Sequence, residues 1–253
     1  MGIVRPNVGS GFTHGLLAAG CVLSLAAACA GSEGRNEAHS DTAVAARPAN
    51  VPSAFVTEVP AWPADTTSFA TDRSGALPAR LRAKLPSCGA TTPIVTGDSI
   101  GAFYPGQPLA NLFGACARPL QLWAWDDGRY VPAVALTVGD AVLLLEASGV
   151  IPEAVVTRVT ALEGARTAEG IGPGSLLPDV ERAYGTPIWE RDQCSVSATF
   201  ASRSGLIVNV AIPEGHSDAW TCQEIRRFGA GTNFSRFPQG STVGSVGADL
   251  GSG

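Results

Sequence analysis

Apolar and polar positions in this chain follow two periods, and the two take turns. Val196, Ala198 and Phe200 alternate with Ser195, Ser197 and Thr199, the period of two that gives a strand one buried face. The turn Ala201–Gly205 then leads to a second apolar strand, Leu206–Ile212. Upstream the period changes: Leu177, Val180 and Tyr184 stand at i, i+3 and i+7, one face of a helix. Gly170-Ile171-Gly172-Pro173-Gly174 reads as the turn before it, Ser175 as its N-cap, Gly185 as a left-handed C-cap and Pro187 as the stop. The same order occurs earlier in the chain. A helix is predicted over Pro108–Cys116 and a strand over Leu120–Trp125, followed by the turn Asp126-Asp127-Gly128. Further strands are predicted at Tyr130–Thr137, Ala141–Glu146 and Val155–Leu162.

A shift of 68 residues superposes the two patterns. Pro105-Gly106 then falls on Pro173-Gly174, Leu109 on Leu177, Leu112 on Val180, Ala115 on Ala183 and Pro119-Leu120 on Pro187-Ile188. The expected fold is therefore α+β: two helix-plus-antiparallel-hairpin repeats, 86–163 and 164–228, with short helices on one face of an antiparallel sheet. Residues 29–85 are rich in Pro, Ala and Ser without apolar periodicity and read as a flexible tether, with Phe55, Trp62 and Phe69 as points that dock locally. The Gly- and Ser-rich stretch 229–253 reads as a disordered tail.

The N-terminus carries a different signal. Arg5, the apolar run Gly15–Ala28 and the small residues before Cys29 have the form of an export signal spanning 1–28. The run is short of the roughly 20 residues that span a bilayer. Ala26-Ala27-Ala28-Cys29 resembles the lipobox of bacterial lipoproteins, which implies lipid attachment at Cys29 and a membrane-anchored chain in the cell envelope. Cys21 lies inside the run and is the poorer choice; cleavage near Ala28 without acylation is the plainer alternative. By the enterobacterial sorting rule, Ala30 implies the outer membrane.

Export changes the reading of the cysteines. Beyond the anchor there are four, Cys88, Cys116, Cys194 and Cys222, and an even number in an exported chain reads as disulfides. Three connectivities are open; Cys88–Cys116 and Cys194–Cys222 are favoured because each encloses a local segment. Neither a C-x-x-C nor a set of histidines argues for metal, and no cofactor is expected. The formal net charge of −5, with no Lys/Arg-rich run, lacks the electrostatic footprint of a nucleic-acid binder.

The run Gly170–Pro187 resembles the G-x-[ST]-x-x-x-V-x-x-x-x-G-x-P helix start of small exported lipoproteins, the SmpA/OmlA-like outer-membrane assembly proteins and the tandem-repeat β-lactamase-inhibitor proteins. The resemblance implies a binding protein rather than an enzyme and carries over no functional residue. A competing signal is Gly97-Asp98-Ser99-Ile100 after Pro93-Ile94-Val95-Thr96. It looks like the nucleophile block of GDSL hydrolases and would make Ser99 an esterase nucleophile. Such chemistry needs an imidazole and an orienting carboxylate. His216, the single histidine of the folded region, has Pro213 three residues before it instead of the family's Asp. Ordinary Asp and Ser turn chemistry accounts for the same residues. The carboxylates Asp126, Asp127, Asp140 and Glu146 fall at strand ends and turns, with no spacing that argues for acid–base work.

In Leu120-Gln121-Leu122-Trp123-Ala124-Trp125, Leu120, Leu122 and Ala124 are expected to face the helices. Trp123 and Trp125 then share the opposite face, either open as a binding surface or covered by the Trp62 region or the other repeat. The functional expectation is a membrane-tethered, non-catalytic binding or envelope-assembly module. A cell-surface esterase using Ser99 and a purely structural envelope protein are the alternatives.

Overall fold

The computed structural model describes residues 61–63, 77–116, 118–126, 129–151, 153–192, 195–213, 222–224, 226–229 and 232–249. Cys29, Asp127, Cys194 and His216 lie outside them. The elements are α1 (Ala79–Arg82), β1 (Ile94–Val95), α2 (Leu109–Ala115), β2 (Leu120–Asp126), β3 (Arg129–Val138), β4 (Ala141–Ala147), β5 (Val156–Glu163), β6 (Arg166–Thr167), α3 (Leu177–Tyr184), β7 (Ile188–Asp192), β8 (Ser195–Phe200), β9 (Arg203–Ala211), a 3-10 turn at Phe234–Arg236, and β10 (Thr242–Asp249). Eight strands form one sheet in the order β2-β3-β4-β5-β10-β9-β8-β7, and β1 pairs with β6 separately. Every neighbour in the large sheet is antiparallel. The fold is α+β with β dominant.

The sheet is two four-stranded meanders, each preceded by a helix, joined where β5 meets β10. Equivalent bonds tie each helix start to the last strand of its meander. The Gly106 N–H donates to the Val156 carbonyl and the Val156 N–H to the Gln107 carbonyl. In the second meander Gly174 donates to Val243, and Val243 to Ser175. Ser175 does not cap α3 as expected: the cap position is Leu176, with no side-chain bond. The Ser175 Oγ instead accepts the Gly172 N–H at 3.0 Å and the Arg166 guanidinium at 3.1 Å, closing the turn ahead of the helix. Gly185 ends α3 at φ 82°, as the pattern requires.

Residues at one register level share a face, so one face can be followed across five strands: Leu122 pairs with Ala133, Ala133 with Glu146, Glu146 with Arg158 and Arg158 with Asp249. Helices cover both faces. On the larger core, Leu109 and Leu112 of α2 and Leu177, Val180 and Tyr184 of α3 belong with Val134, Leu136, Leu143, Leu145, Leu206 and Val208. On the other face Leu77 and Leu81, at α1, belong with Leu122, Ala124, Ala133, Ala135 and Leu144. β4 is consequently buried at every position, and its fully buried leucines contribute about 2 kcal/mol each.

Three expectations are corrected by this arrangement. The strand face bearing Trp123 and Trp125 is the face of α2 and α3, whereas Leu122 and Ala124 meet α1; apolar side chains on both faces of β2 allowed either assignment. The tether does not run unbroken to residue 85, because Leu77–Leu85 supplies the lid over the second core. The stretch 229–253 is no wholly disordered tail: it provides β10, the strand at the seam of the sheet. Glycine suits that strand because a Cβ at Gly247 would lie 3.0 Å from the Val159 carbonyl oxygen.

Cys88 and Cys116 are joined, with Cα atoms 4.9 Å apart, as expected. The bond ties the end of α2 to the segment running beside β3, where the Cys88 N–H donates to Thr137. A loop of this length contributes on the order of 3 kcal/mol in the chain-entropy account. Cys222 is also disulfide-bonded; Cys194, its expected partner, lies outside the described residues.

Candidate functional site

Antiparallel order brings distant residues to one end of the sheet. The β2–β3 turn, the β4–β5 connection and the end of β10 all lie there. A cleft of about 420 Å³ opens among Asp126, Arg129, Tyr130, Glu146, Arg158 and Asp249 with their neighbours. Arg158 stands at its centre and spreads its guanidinium over three strands. Its Nη1 donates to Asp126 Oδ1 at 3.0 Å and to Glu146 Oε2 at 3.5 Å. Nε and Nη2 donate to Asp249 Oδ2 at 3.3 and 3.2 Å. Asp126 and Glu146 were visible in the sequence as strand-end carboxylates; their meeting over Arg158 follows from strand register, which sequence spacing does not encode.

Glu146 is 7% exposed. Burial pushes its carboxyl up to about 7, and the neighbouring Asp126 and Asp249 charges add to this, while Arg158 opposes it. Burial alone would lower the Arg158 guanidinium, but the three carboxylates outweigh it and hold it above its ordinary value. The site can therefore gain or lose one proton near neutrality without losing its cation.

Beside the cleft stands an aromatic pair. Trp125 is 38% and Tyr130 42% exposed, edge to face with ring centroids 4.8 Å apart. On the adjacent β4–β5 connection Val150 is 41% and Ile151 57% exposed. Trp123 is held differently: it is half-buried, and its indole N–H donates to the Pro63 carbonyl at 2.8 Å. The Trp62 indole in turn donates to the Leu122 carbonyl at 2.8 Å. The segment 61–63 thus lies along the edge of β2, which answers the edge-strand liability and covers part of Trp123. Of the expected tryptophan pair, Trp125 stays accessible, and its companion is Tyr130.

Ser99 lies in a turn. The Thr96 N–H donates to the Ser99 carbonyl at 2.8 Å, and the Ser99 and Thr96 hydroxyls are 2.7 Å apart. Asp98 Oδ1 accepts from Thr96 at 2.8 Å and from Ser99 at 3.3 Å. Asp140 occupies the β3–β4 turn, where its N–H donates to Thr92 Oγ1 at 3.0 Å.

A second polar cluster went unread in the sequence. The Tyr184 hydroxyl, on the apolar face of α3, donates to Thr167 Oγ1 at 2.6 Å and lies 3.0 Å from Glu169 Oε2. Burial, reinforced by the Glu169 charge, pushes the Tyr184 phenol up to about 12. Among the described residues no group of three or more His, Cys, Asp or Glu side chains is placed to hold a metal ion, and no helix is long and apolar enough to cross a membrane.

No protein-family model matches the chain, and no curated protein does. Among solved structures, the uncharacterized protein yfeY from Escherichia coli is similar with a TM-score of 0.43 and 13% identity, over 62% of this chain and 99% of that one.

Proposed function

We propose that this protein is an exported, lipid-anchored, non-catalytic binding module of the cell envelope, built from two helix-and-meander repeats, with its contact surface at the β2–β3 end of the sheet. The observation that carries the reading is the accessible Trp125–Tyr130 pair. Aromatic side chains left in contact with water beside a polar cleft are the usual mark of a contact surface. The matching bonds at the two helix starts, where Gly106 and Gln107 correspond to Gly174 and Ser175 at the 68-residue offset of the sequence pattern, support the repeat. The Cys29 lipobox supports the anchor, and the Cys88–Cys116 bond fits an oxidising compartment.

The test is made in a bacterial host that processes lipoproteins. The purified protein is expected to have the mass of the chain from Cys29 plus a lipid. A photo-reactive phenylalanine analogue replacing Trp125 is expected to give covalent adducts, with protein or phospholipid. The same analogue at Leu176, an exposed apolar position on another part of the surface, is expected to give none. A mass without lipid overturns the anchor; position 125 yielding no adducts overturns the contact surface.

A further inference from the structure

We infer that the Arg158 cluster is a proton-operated latch on the β2–β3 hairpin: with Glu146 neutral, Arg158 holds Asp126 at the hairpin end, and with Glu146 ionised it lets go. The latch regulates the contact surface proposed above, and its bearing on binding rests on that reading. One guanidinium nitrogen joins the two acids. Nη1 lies 3.0 Å from Asp126 Oδ1 but 3.5 Å from Glu146 Oε2, although Glu146 is the most buried of the three carboxyls around Arg158. A buried carboxylate that carried its charge would take the shortest bonds on offer, because only such bonds offset its loss of water. Here the longest contact falls on the most buried acid. That is the geometry of a neutral Glu146, with Asp126 and Asp249 sharing the cation.

Ionisation upsets that division. Glu146 stands on β4 between Ala133 and Arg158 with little water to turn to, so Arg158 closes on it. A further negative charge then stands beside Asp126 within reach of the same nitrogen, and like charges repel. Asp126 is the one that yields. It ends β2, an edge strand, and among the described residues its one ion pair is with Arg158. Arg129, its cross-strand neighbour, lines the same cleft and gives it a second cation to turn to. Trp125 and Tyr130 are the adjoining cross-strand pair, so the aromatic surface moves with the turn that Asp126 closes. The other charges on this face leave the exchange undisturbed. Asp249 keeps its bonds from Nε and Nη2; on α1, Arg82 pairs with Glu163, and Arg80 and the nearby Lys84 are exposed. Burial raises the Glu146 carboxyl to about 7, so the latch is closed in mildly acid surroundings and open in mildly alkaline ones.

The test is fluorine NMR of the full protein labelled with fluorotryptophan, the Trp125 signal being assigned by its loss in Trp125→Phe. From about pH 6 to about pH 8 that signal is expected to move in one step with its midpoint at about 7. A wild-type signal that stays still overturns the latch. Glu146→Gln, neutral throughout, is expected to keep the signal at its low-pH position. Histidines titrate in the same range, so a step that survives in this variant belongs to another group and overturns the latch. Asp126→Ala retains the buried acid but removes what it releases, and is expected to lose the step as well. A step surviving there means that Trp125 senses the Glu146 charge through space, which also overturns the latch. Failure of position 125 to form adducts at either pH overturns the contact surface alone, because the step is read on the protein without a partner.

Discussion

Alanine in place of Gly205 is expected to destabilise the fold by about 3 kcal/mol, a left-handed backbone term of about 1 kcal/mol plus an overpacking term of about 2. Gly205 sits at φ +77°, and a Cβ built there would lie 2.0 Å from the Gly97 carbonyl oxygen. A Cβ on Gly97 would lie 1.9 Å from the Ser204 carbonyl oxygen. In both cases the obstacle is backbone, so no side chain can swing aside. Gly170 provides the comparison: it has φ +81° but nothing within 4 Å of its would-be Cβ, so Gly170→Ala should show the backbone term alone, about 1 kcal/mol. Urea unfolding of both variants with disulfides intact measures the difference. Equal losses would show that the 97 turn and the start of β9 are not in close contact.

The second large effect belongs to Glu146. A buried carboxyl raised from 4.5 to about 7 binds its proton more tightly folded than unfolded. Its contribution is thus fully favourable below pH 4.5, is lost as pH rises towards 7, and stays lost above. A shift of that size corresponds to about 3 kcal/mol. Glu146→Gln is expected to match the wild type at pH 4.5, where both side chains are neutral, and to be more stable by about 3 kcal/mol at pH 8. Urea midpoints at the two pH values decide it. A variant less stable than wild type at pH 8 would mean that attraction to Arg158 outweighs the desolvation of the carboxylate, reversing the assigned balance.

The first meander was legible almost to the residue because its strands are long and strongly apolar and its turns carry Asp and Gly. β7 and β10 were not. β7 reads Ile-Trp-Glu-Arg-Asp, too short and charged to show a period of two. β10 reads Thr-Val-Gly-Ser-Val-Gly-Ala-Asp, whose small residues resemble a linker. The crowding that excludes side chains at Gly247 exists only once β5 and β10 are paired, so the reason for the composition is tertiary. The same limit hid the candidate site. Asp126, Glu146, Arg158 and Asp249 come from four strands spread over more than a hundred residues, and only register assembles them. The two faces of β2 were reversed because Leu122 and Trp123 are both apolar, and the pattern cannot say which of two covered faces receives which helix.

The place of β10 also sets an order of events during synthesis. A ribosome delivers β5 and β9 well before the strand that separates them, so until β10 emerges both present unpaired backbone edges, each a template for a wrong partner. Pairing β5 directly with β9 would leave the second meander's helix start unsatisfied, because the Val243 bonds to Gly174 and Ser175 would be missing. β10 is the strand that completes both edges, and the chain remains vulnerable to wrong pairing until that strand is in place.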